Sequence, residues 1–150
     1  MTEADPPNFH SPFSRHMNFR LVEWREGYAR IACDLVPALT NRAGIAHGGV
    51  SLALLDDAGG AAGNWCSVPG NVRRSVTVDL NARFVGQPRG GLLIATGTVI
   101  SRGRNLYFVQ SEVRTEAGEL VAFGSSTHRW RTGSHTVEGV PKDAPIGRKP

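Results

Sequence analysis

Cysteine is scarce in this chain of 150 residues, which holds only Cys33 and Cys66 and no CxxC motif. Two separated cysteines exclude a disulfide framework and a thiolate zinc site, and they favour a reducing, cytoplasmic location. Long hydrophobic runs are also missing: no stretch of about 18 apolar residues occurs, so we expect no membrane span. Residues 1–20 carry acidic residues and prolines instead of an apolar segment, so we expect no signal peptide.

Aromatic residues make up only 7% of the chain, and the net charge is a modest +4. No basic strand interleaved with aromatic residues is present, which argues against a nucleic-acid-binding module. Arginine accounts for 15 of the 17 basic residues. Because the guanidinium group binds phosphate and carboxylate in a bidentate manner, this composition is compatible with a small phosphate-bearing ligand.

With 40% hydrophobic and 20% charged residues, the composition is that of one globular domain. Residues 1–16 are proline-rich, and we interpret them as a loose lead with at most one short helical turn. Residues 131–150 have glycine and proline every few positions and no apolar alternation, so they are predicted to form a mobile tail. The packed domain is then predicted at residues 17–130.

The pattern within the domain predicts an α+β fold. Two strands are expected in residues 17–35, then a loop, then the only long helix at residues 47–66. Four more strands are separated by breaks rich in glycine and proline: 73–85, 91–102, 104–115 and 119–130. Gly103 is expected to take a positive φ in the tight turn between the second and third of these. This order predicts one antiparallel sheet with a deeply buried helix against one face.

The predicted helix has three unusual features. It starts at His47-Gly48-Gly49, where backbone N–H groups and the helix dipole favour an oxygen that gains negative charge. Asp56 follows two turns later in an apolar context, where a carboxylate is costly unless it is paired, solvated or functional. Three glycines share the face of Asp56 and suggest a close approach by a ligand or another chain: Gly59, Gly60 and Gly63.

Each feature also has a plain structural explanation. Gly48-Gly49 could simply begin a helix, and His47 could bond to backbone. Asp56 or its neighbour Asp57 could be a solvated surface acid. The glycines could serve only the packing of the helix against the sheet.

The combination of these features with Asn41 resembles a known family. Residues 41–50 read NRAGIAHGGV and are followed by Leu54-Leu55-Asp56, which is similar to the signature of hotdog-fold acyl-CoA thioesterases of the PaaI-like (phenylacetate-pathway) type. Residues 76–81 and 118–124 also resemble that family, and the likeness covers about residues 9–130. It implies a hotdog fold, one antiparallel sheet wrapped around a single central helix.

The resemblance also implies a site between subunits of a homodimer that often pairs again into a tetramer. The backbone N–H of Gly49, or of Gly48 beside it, would hold the thioester carbonyl. Asp56 of the other subunit would act as nucleophile or general base on water, and Asp57 would be structural. Three further residues have matching supporting positions: Asn41 for placing water or carbonyl, His47 for the loop and Thr77 for the water.

The implied substrate is an acyl-CoA, with a small, aromatic or medium-chain acyl group, and no cofactor or metal is expected. Gly60 is a candidate for the acyl pocket. Arg102 and Arg104, which flank the turn glycine, are candidates for the CoA phosphates; Arg73, Arg74 and Arg129 are further possibilities.

Two alternatives stay open. One is a hotdog acyl-thioester hydratase or dehydratase, which uses a different arrangement of acid and histidine. His47 is the only histidine near Asp56 in the sequence, and His128 could approach only through the fold. The other is a non-catalytic acyl-CoA-binding or regulatory domain, against which the presence of Asp56 argues.

Overall fold

The long helix and the main strands form where the sequence pattern predicts them. The computed structural model describes residues 9–147, and its elements are α1 Pro12–His16, β1 Arg20–Arg25, β2 Tyr28–Asp34, a 3-10 turn Pro37–Leu39, α2 Gly48–Asn64, β3 Asn71–Val72, β4 Ser75–Phe84, β5 Leu92–Arg102, β6 Leu106–Thr115, β7 Leu120–Trp130 and β8 Val140–Pro141. No helix in this part of the chain is long and apolar enough to cross a membrane.

Six strands form one antiparallel sheet in the order β1-β2-β5-β6-β7-β4, so β1 and β4 are its edges. Helix α2 packs against every strand of this sheet. The predicted α+β architecture, one antiparallel sheet around a single long helix, is therefore confirmed. The strand predicted at residues 73–85 is preceded by a separate short strand, β3, which pairs with β8 in a second small sheet.

Helix α2 is buried along one stripe because its apolar side chains recur every three or four positions. Its buried residues are Val50, Ser51, Leu54, Leu55, Ala58, Gly59, Ala62 and Gly63. Small residues allow the sheet to approach closely. A Cβ added at Gly97 of β5 would collide with the Ala58 carbonyl, and one at Gly63 would collide with the Tyr107 ring. Glycine at these positions serves packing.

The C-terminal end of α2 lies inside the protein, where its unpaired carbonyl groups need donors. Side chains from the sheet provide them. Trp24 Nε1 donates to the Ala61 carbonyl at 2.7 Å, Trp130 Nε1 donates to that of Gly63 at 3.0 Å, and the Tyr107 hydroxyl donates to that of Gly60 at 3.2 Å. The helix therefore ends in a defined position relative to β1, β6 and β7.

Both terminal segments contain a short element of secondary structure. Residues 12–16 form one short helix capped by Ser11, in keeping with at most one helical turn; residues 1–8 lie outside the described part of the chain. Residues 131–147, predicted to form a mobile tail, contact the rest of the domain. Buried Arg73 donates to the carbonyls of Ser134 and His135, and β8 pairs with β3. These contacts come from distant residues, so local composition does not reveal them.

The turn between β5 and β6 also differs from expectation. The glycines with positive φ in residues 9–147 do not include Gly103. Instead, the Gly103 N–H donates to the Leu106 carbonyl at 2.8 Å, and three residues separate the strands. None of these three residues has a positive φ, so this turn is made without a left-handed residue.

Candidate active site

Asp56 lies midway along α2 and faces the edge strand β4. Thr77 Oγ1 donates a hydrogen bond to Asp56 Oδ1 at 2.6 Å. A β-bulge follows Thr77, because the register between β4 and β7 shifts between Thr77 and Asp79. Bulges bend an edge strand and redirect its side chains. The acid predicted from the helix and the hydroxyl predicted from the strand are thus in direct contact.

His128 on β7 approaches the same hydroxyl from the other side. Its Nδ1 lies 3.4 Å from Thr77 Oγ1, and its Nε2 lies 2.8 Å from Ser126 Oγ. Only 1% of His128 is exposed. Burial lowers the pKa of the imidazole below its ordinary value, although the charge of Asp56 opposes this shift. Burial therefore favours the neutral form of the ring.

His47 is the histidine nearest to Asp56 in the sequence, but it is not the one that the fold brings to the acid. His47 precedes the helix and lies nine positions before Asp56, about 13.5 Å at 1.5 Å per residue. His128 is the histidine that the fold brings to the acid. Both of its ring nitrogens face hydroxyl groups of the protein, so neither is directed at a substrate, as a hydratase would need.

A cavity of about 610 Å³ opens beside these residues. Its lining includes Asp56, Asp57, Gly60, Thr77 and His128. Burial raises the pKa of the Asp57 carboxyl to about 6, and the neighbouring charge of Asp56 adds to the effect. Asp57, which was expected to be merely structural, therefore lies in the cavity wall and titrates close to neutral pH.

The glycines on the face of Asp56 do not all have the same surroundings. A Cβ built at Gly60 meets nothing within 4 Å, and Gly60 lines the cavity. A Cβ at Gly59 would lie 2.8 Å from His128 Nε2, and one at Gly63 would overlap the Tyr107 ring. Open space exists only beside Gly60 among these three positions, whereas the other two are packing contacts.

The start of α2 holds the second group of predicted residues. His47 caps the helix: its Nδ1 accepts the Gly49 N–H at 2.8 Å. The Gly49 N–H is therefore occupied, which departs from its predicted role as the carbonyl donor. Within residues 9–147 the Gly48 N–H has no acceptor. Gly48 is thus the open backbone donor at this helix end.

Asn41 shapes the loop before the helix. Its Oδ1 accepts the N–H groups of Ala43 and Ile45 at 2.9 and 3.4 Å. Its backbone N–H donates to the Ile45 carbonyl at 2.8 Å. The side-chain oxygen is thus used for the loop, and only the amide nitrogen is available to contact a ligand.

Four of the five candidate arginines fall into two groups. Arg73 donates to the carbonyls of Ser134, His135 and Trp65, and Arg74 donates to that of Ala144, which leaves both poorly placed to bind phosphate. Arg102 and Arg104 are exposed. Arg102 pairs with Glu26 at 3.1 Å, and within residues 9–147 Arg104 has no ion pair or side-chain hydrogen bond.

Sequence reasoning gave His128 no role in the site and did not place Asp57 at the cavity. One signal could have found His128. On β7 the alternating buried positions are Ser126, His128 and Trp130, and two polar residues on the inward face of a strand are unusual unless they are hydrogen-bonded to partners. Among the residues described, no group of three or more His, Cys, Asp or Glu side chains is placed to hold a metal ion.

Comparison with known proteins agrees with this fold. Residues 43–122 match the thioesterase superfamily. A Haemophilus influenzae protein named "Putative esterase" is 39% identical over 77 residues, which are 51% of this chain and 54% of that protein. The match thus spans about half the length of that relative.

Two solved structures illustrate the likeness. The thioesterase HI1161 from Haemophilus influenzae has a TM-score of 0.71 and 28% identity, over 79% of this chain and 81% of that one. The PaaI protein of the Escherichia coli phenylacetic acid degradation operon shares the fold, with a TM-score of 0.72 and 20% identity, over 79% of this chain and 83% of that one.

The fold is the hotdog fold that the resemblance implied. The chain belongs to the thioesterase superfamily.

Proposed function

We propose that this protein hydrolyses the thioester bond of acyl-CoA to a free acid and CoA. The observation that carries the proposal is the contact between Thr77 and Asp56 at the wall of the cavity, on the open face of Gly60. A carboxylate fixed by a hydroxyl donor in a recess is suited to activate water or to attack a carbonyl carbon.

The reaction needs few groups. As a general base, Asp56 takes one proton from water while the water oxygen attacks the thioester carbon. The carbonyl oxygen gains negative charge and is held by a backbone N–H at a helix start, here that of Gly48. The C–S bond then breaks, the sulfur leaves as the CoA thiolate, and the proton passes from Asp56 to the thiolate. As a nucleophile, Asp56 would attack the thioester carbon and expel the CoA thiolate to form a mixed anhydride. Water would then hydrolyse the anhydride to the free acid and the Asp56 carboxylate, and the proton released would pass to the thiolate.

A single subunit cannot place both groups on one carbonyl. Gly48 and Asp56 are eight residues apart on α2, about 12 Å at 1.5 Å per residue. Strand β4 is an edge strand of 10 residues, and Val76, Val78 and Phe84 on it are 41%, 60% and 54% exposed. Such an edge is suited to pair with a second chain. We therefore propose a homodimer joined through β4, and the tetramer stays a prediction.

The positions along β4 suggest the register of that pairing. Thr77 marks the Asp56 end, and the Phe84 ring marks the Gly48 end, since its Cε1 lies 3.5 Å from a Cβ built at Gly48. Antiparallel pairing about a two-fold axis near Leu80 and Asn81 would set Thr77 opposite Phe84 of the other chain. The partner subunit's Gly48 would then approach Asp56.

The volume of the cavity limits the size of the acyl group. At about 610 Å³ in one subunit, it is of a size that holds a small organic group. Phe9 and Trp24 supply apolar lining, with Ala61 and Val68 nearby. Small, aromatic and medium-chain acyl groups are all compatible with this lining, and a panel of substrates decides among them.

Thiol release from a panel of acyl-CoA substrates tests the reaction. Purified wild-type protein should release CoA from at least one, and Asp56→Asn should lose about 10²- to 10⁴-fold of that rate while it keeps the fold. Absence of release from every substrate, with retained CoA-ester binding, would instead support a non-catalytic binding domain.

Mixing two inactive variants tests the shared site. Gly48→Pro removes the N–H at the first helical position, where proline is tolerated and where extended His47 already suits a following proline. Refolded mixtures of Gly48→Pro with Asp56→Asn should recover up to about one quarter of wild-type activity, because half the dimers then hold one intact site. A site formed within one subunit would recover nothing.

A further inference from the structure

The hydrogen bonds around Asp56 form a chain whose direction can be deduced. Thr77 has one hydroxyl proton, and Asp56 Oδ1 accepts it at 2.6 Å. At its contact with His128 Nδ1, at 3.4 Å, the Thr77 oxygen must therefore accept. His128 then carries its proton on Nδ1, and its bare Nε2 accepts the Ser126 hydroxyl at 2.8 Å.

We propose that His128 is a positioning residue for Asp56: as the neutral Nδ1–H tautomer, held by Ser126, it directs the Thr77 hydroxyl proton at the carboxylate. This role rests on the proposed function of Asp56. His128 does not touch the substrate in this arrangement, because each of its nitrogens faces a protein hydroxyl.

The surroundings of the ring support a fixed orientation. The His128 ring stacks on Tyr107, with ring centres 4.9 Å apart and planes 9° from parallel. A Cβ at Gly59 would lie 2.8 Å from Nε2 and 2.9 Å from Ser126 Oγ. Glycine at position 59 thus leaves the room in which Ser126 and His128 meet against the helix. Burial lowers the pKa of His128 and so favours the neutral ring, in which one nitrogen can accept from Ser126.

The positions of the nitrogens give a matched pair of variants. The amide N–H of His128→Asn lies near the place of Nδ1 and can still donate to Thr77. The amide of His128→Gln lies one methylene further, near the place of Nε2, and faces Ser126. His128→Phe keeps a ring on Tyr107 and has no donor at all.

We expect kcat to fall about tenfold in His128→Phe and His128→Gln, with KM changed less than about threefold, because a positioning contact acts mainly on the reacting carboxylate. His128→Asn should retain at least several-fold more activity than His128→Gln. Tyr107→Phe is the control for packing: it loses the hydroxyl bonds to Ser75 and Gly60 and should lower the melting temperature while kcat stays within about twofold.

A measurement independent of turnover is nitrogen NMR of the His128 ring in the wild-type protein at pH 7. The expected signal is that of a neutral imidazole protonated at Nδ1, and Ser126→Ala should weaken this preference. Protonation at Nε2, or a charged ring, would overturn the proposal even if the variants fail to fold. Unchanged kcat in a folded His128→Phe protein would also overturn it. Absence of thiol release from the wild-type protein would refute the proposed function and leave the tautomer test standing.

Discussion

Thr77 on the sheet edge and Asp56 in the central helix are 21 positions apart in the chain, yet their side chains are joined by a hydrogen bond of 2.6 Å. The bond links strand β4 to helix α2 at the position of the bulge after Thr77. Its donor is neutral and its acceptor is a carboxylate, so the bond is stronger than one between neutral groups.

Replacing Thr77 tests the importance of this bond. Thr77→Val keeps the shape and removes the donor, and we expect kcat to fall about 10- to 100-fold, since a hydrogen bond to a charged group contributes about 1.5–3 kcal/mol. Thr77→Ser keeps the hydroxyl and should stay within about tenfold of wild type. Steady-state kinetics on one acyl-CoA compare the two, and equal losses would show that the methyl group, and not the donor, matters.

Replacement of a glycine on α2 by alanine should have opposite effects on stability at Gly60 and at Gly63. Gly60→Ala adds a methyl group in open space, so stability should rise by about 0.5–1 kcal/mol and preference should shift to smaller acyl groups. Gly63→Ala forces a methyl group into the Tyr107 ring and should cost at least about 1–3 kcal/mol. Thermal melts and a substrate panel check both. A destabilised Gly60→Ala protein with unchanged acyl preference would contradict the assignment of Gly60 to the pocket.

The raised pKa of Asp57 predicts how the stability of the folded protein depends on pH. Its pKa is about 6 in the folded protein, against an ordinary value of 3.8. The pKa of Asp57 is higher in the folded than in the unfolded protein. Its stabilising contribution to folding is therefore fully present below about pH 4 and is lost as pH rises through about 6. Asp57→Asn should therefore be more stable than wild type at pH 7, by about 1–2 kcal/mol after allowance for partial exposure.

Melting temperatures from pH 4 to 8 test this prediction. The difference between Asp57→Asn and wild type should grow between pH 4 and 7, while exposed Asp143→Asn should follow the wild-type curve. A pH-independent difference would mean that Asp57 acts through hydrogen bonding and not through its charge.

Arg104 lies exposed after β5, whereas Arg102 is paired with Glu26. If Arg104 contacts a CoA phosphate, Arg104→Ala should raise KM for acyl-CoA several-fold with little change in kcat, because a remote contact is equally strong in the ground and transition states. High salt should shrink the effect, since an exposed charge is screened within about 8–10 Å. A short thioester without the nucleotide is the control, and equal damage with both substrates would assign Arg104 a structural role.

The sequence predicted those features of the protein that depend on local, periodic patterns of residues. The spacing of Val50, Leu54 and Ala58 predicts the central helix, and alternation predicts the main strands, because these patterns depend on neighbours a few positions away. The resemblance of residues 41–56 to hotdog thioesterases also predicted the family correctly. Asp56 and Thr77 were named as partners of one site from that resemblance, and their side chains do meet.

Other features depended on contacts between distant segments. The approach of His128 to Thr77, across 51 positions, follows from the pairing of β4 with β7. Residues 131–147 contact the domain through Arg73. Gly60 has open space beside it and Gly63 does not, because the Tyr107 ring lies against Gly63. A sequence can specify which residues are able to donate, accept or fill space. Only the packed sheet and helix decide which of them meet, because those distances are set by strand register and by the space that neighbouring side chains leave.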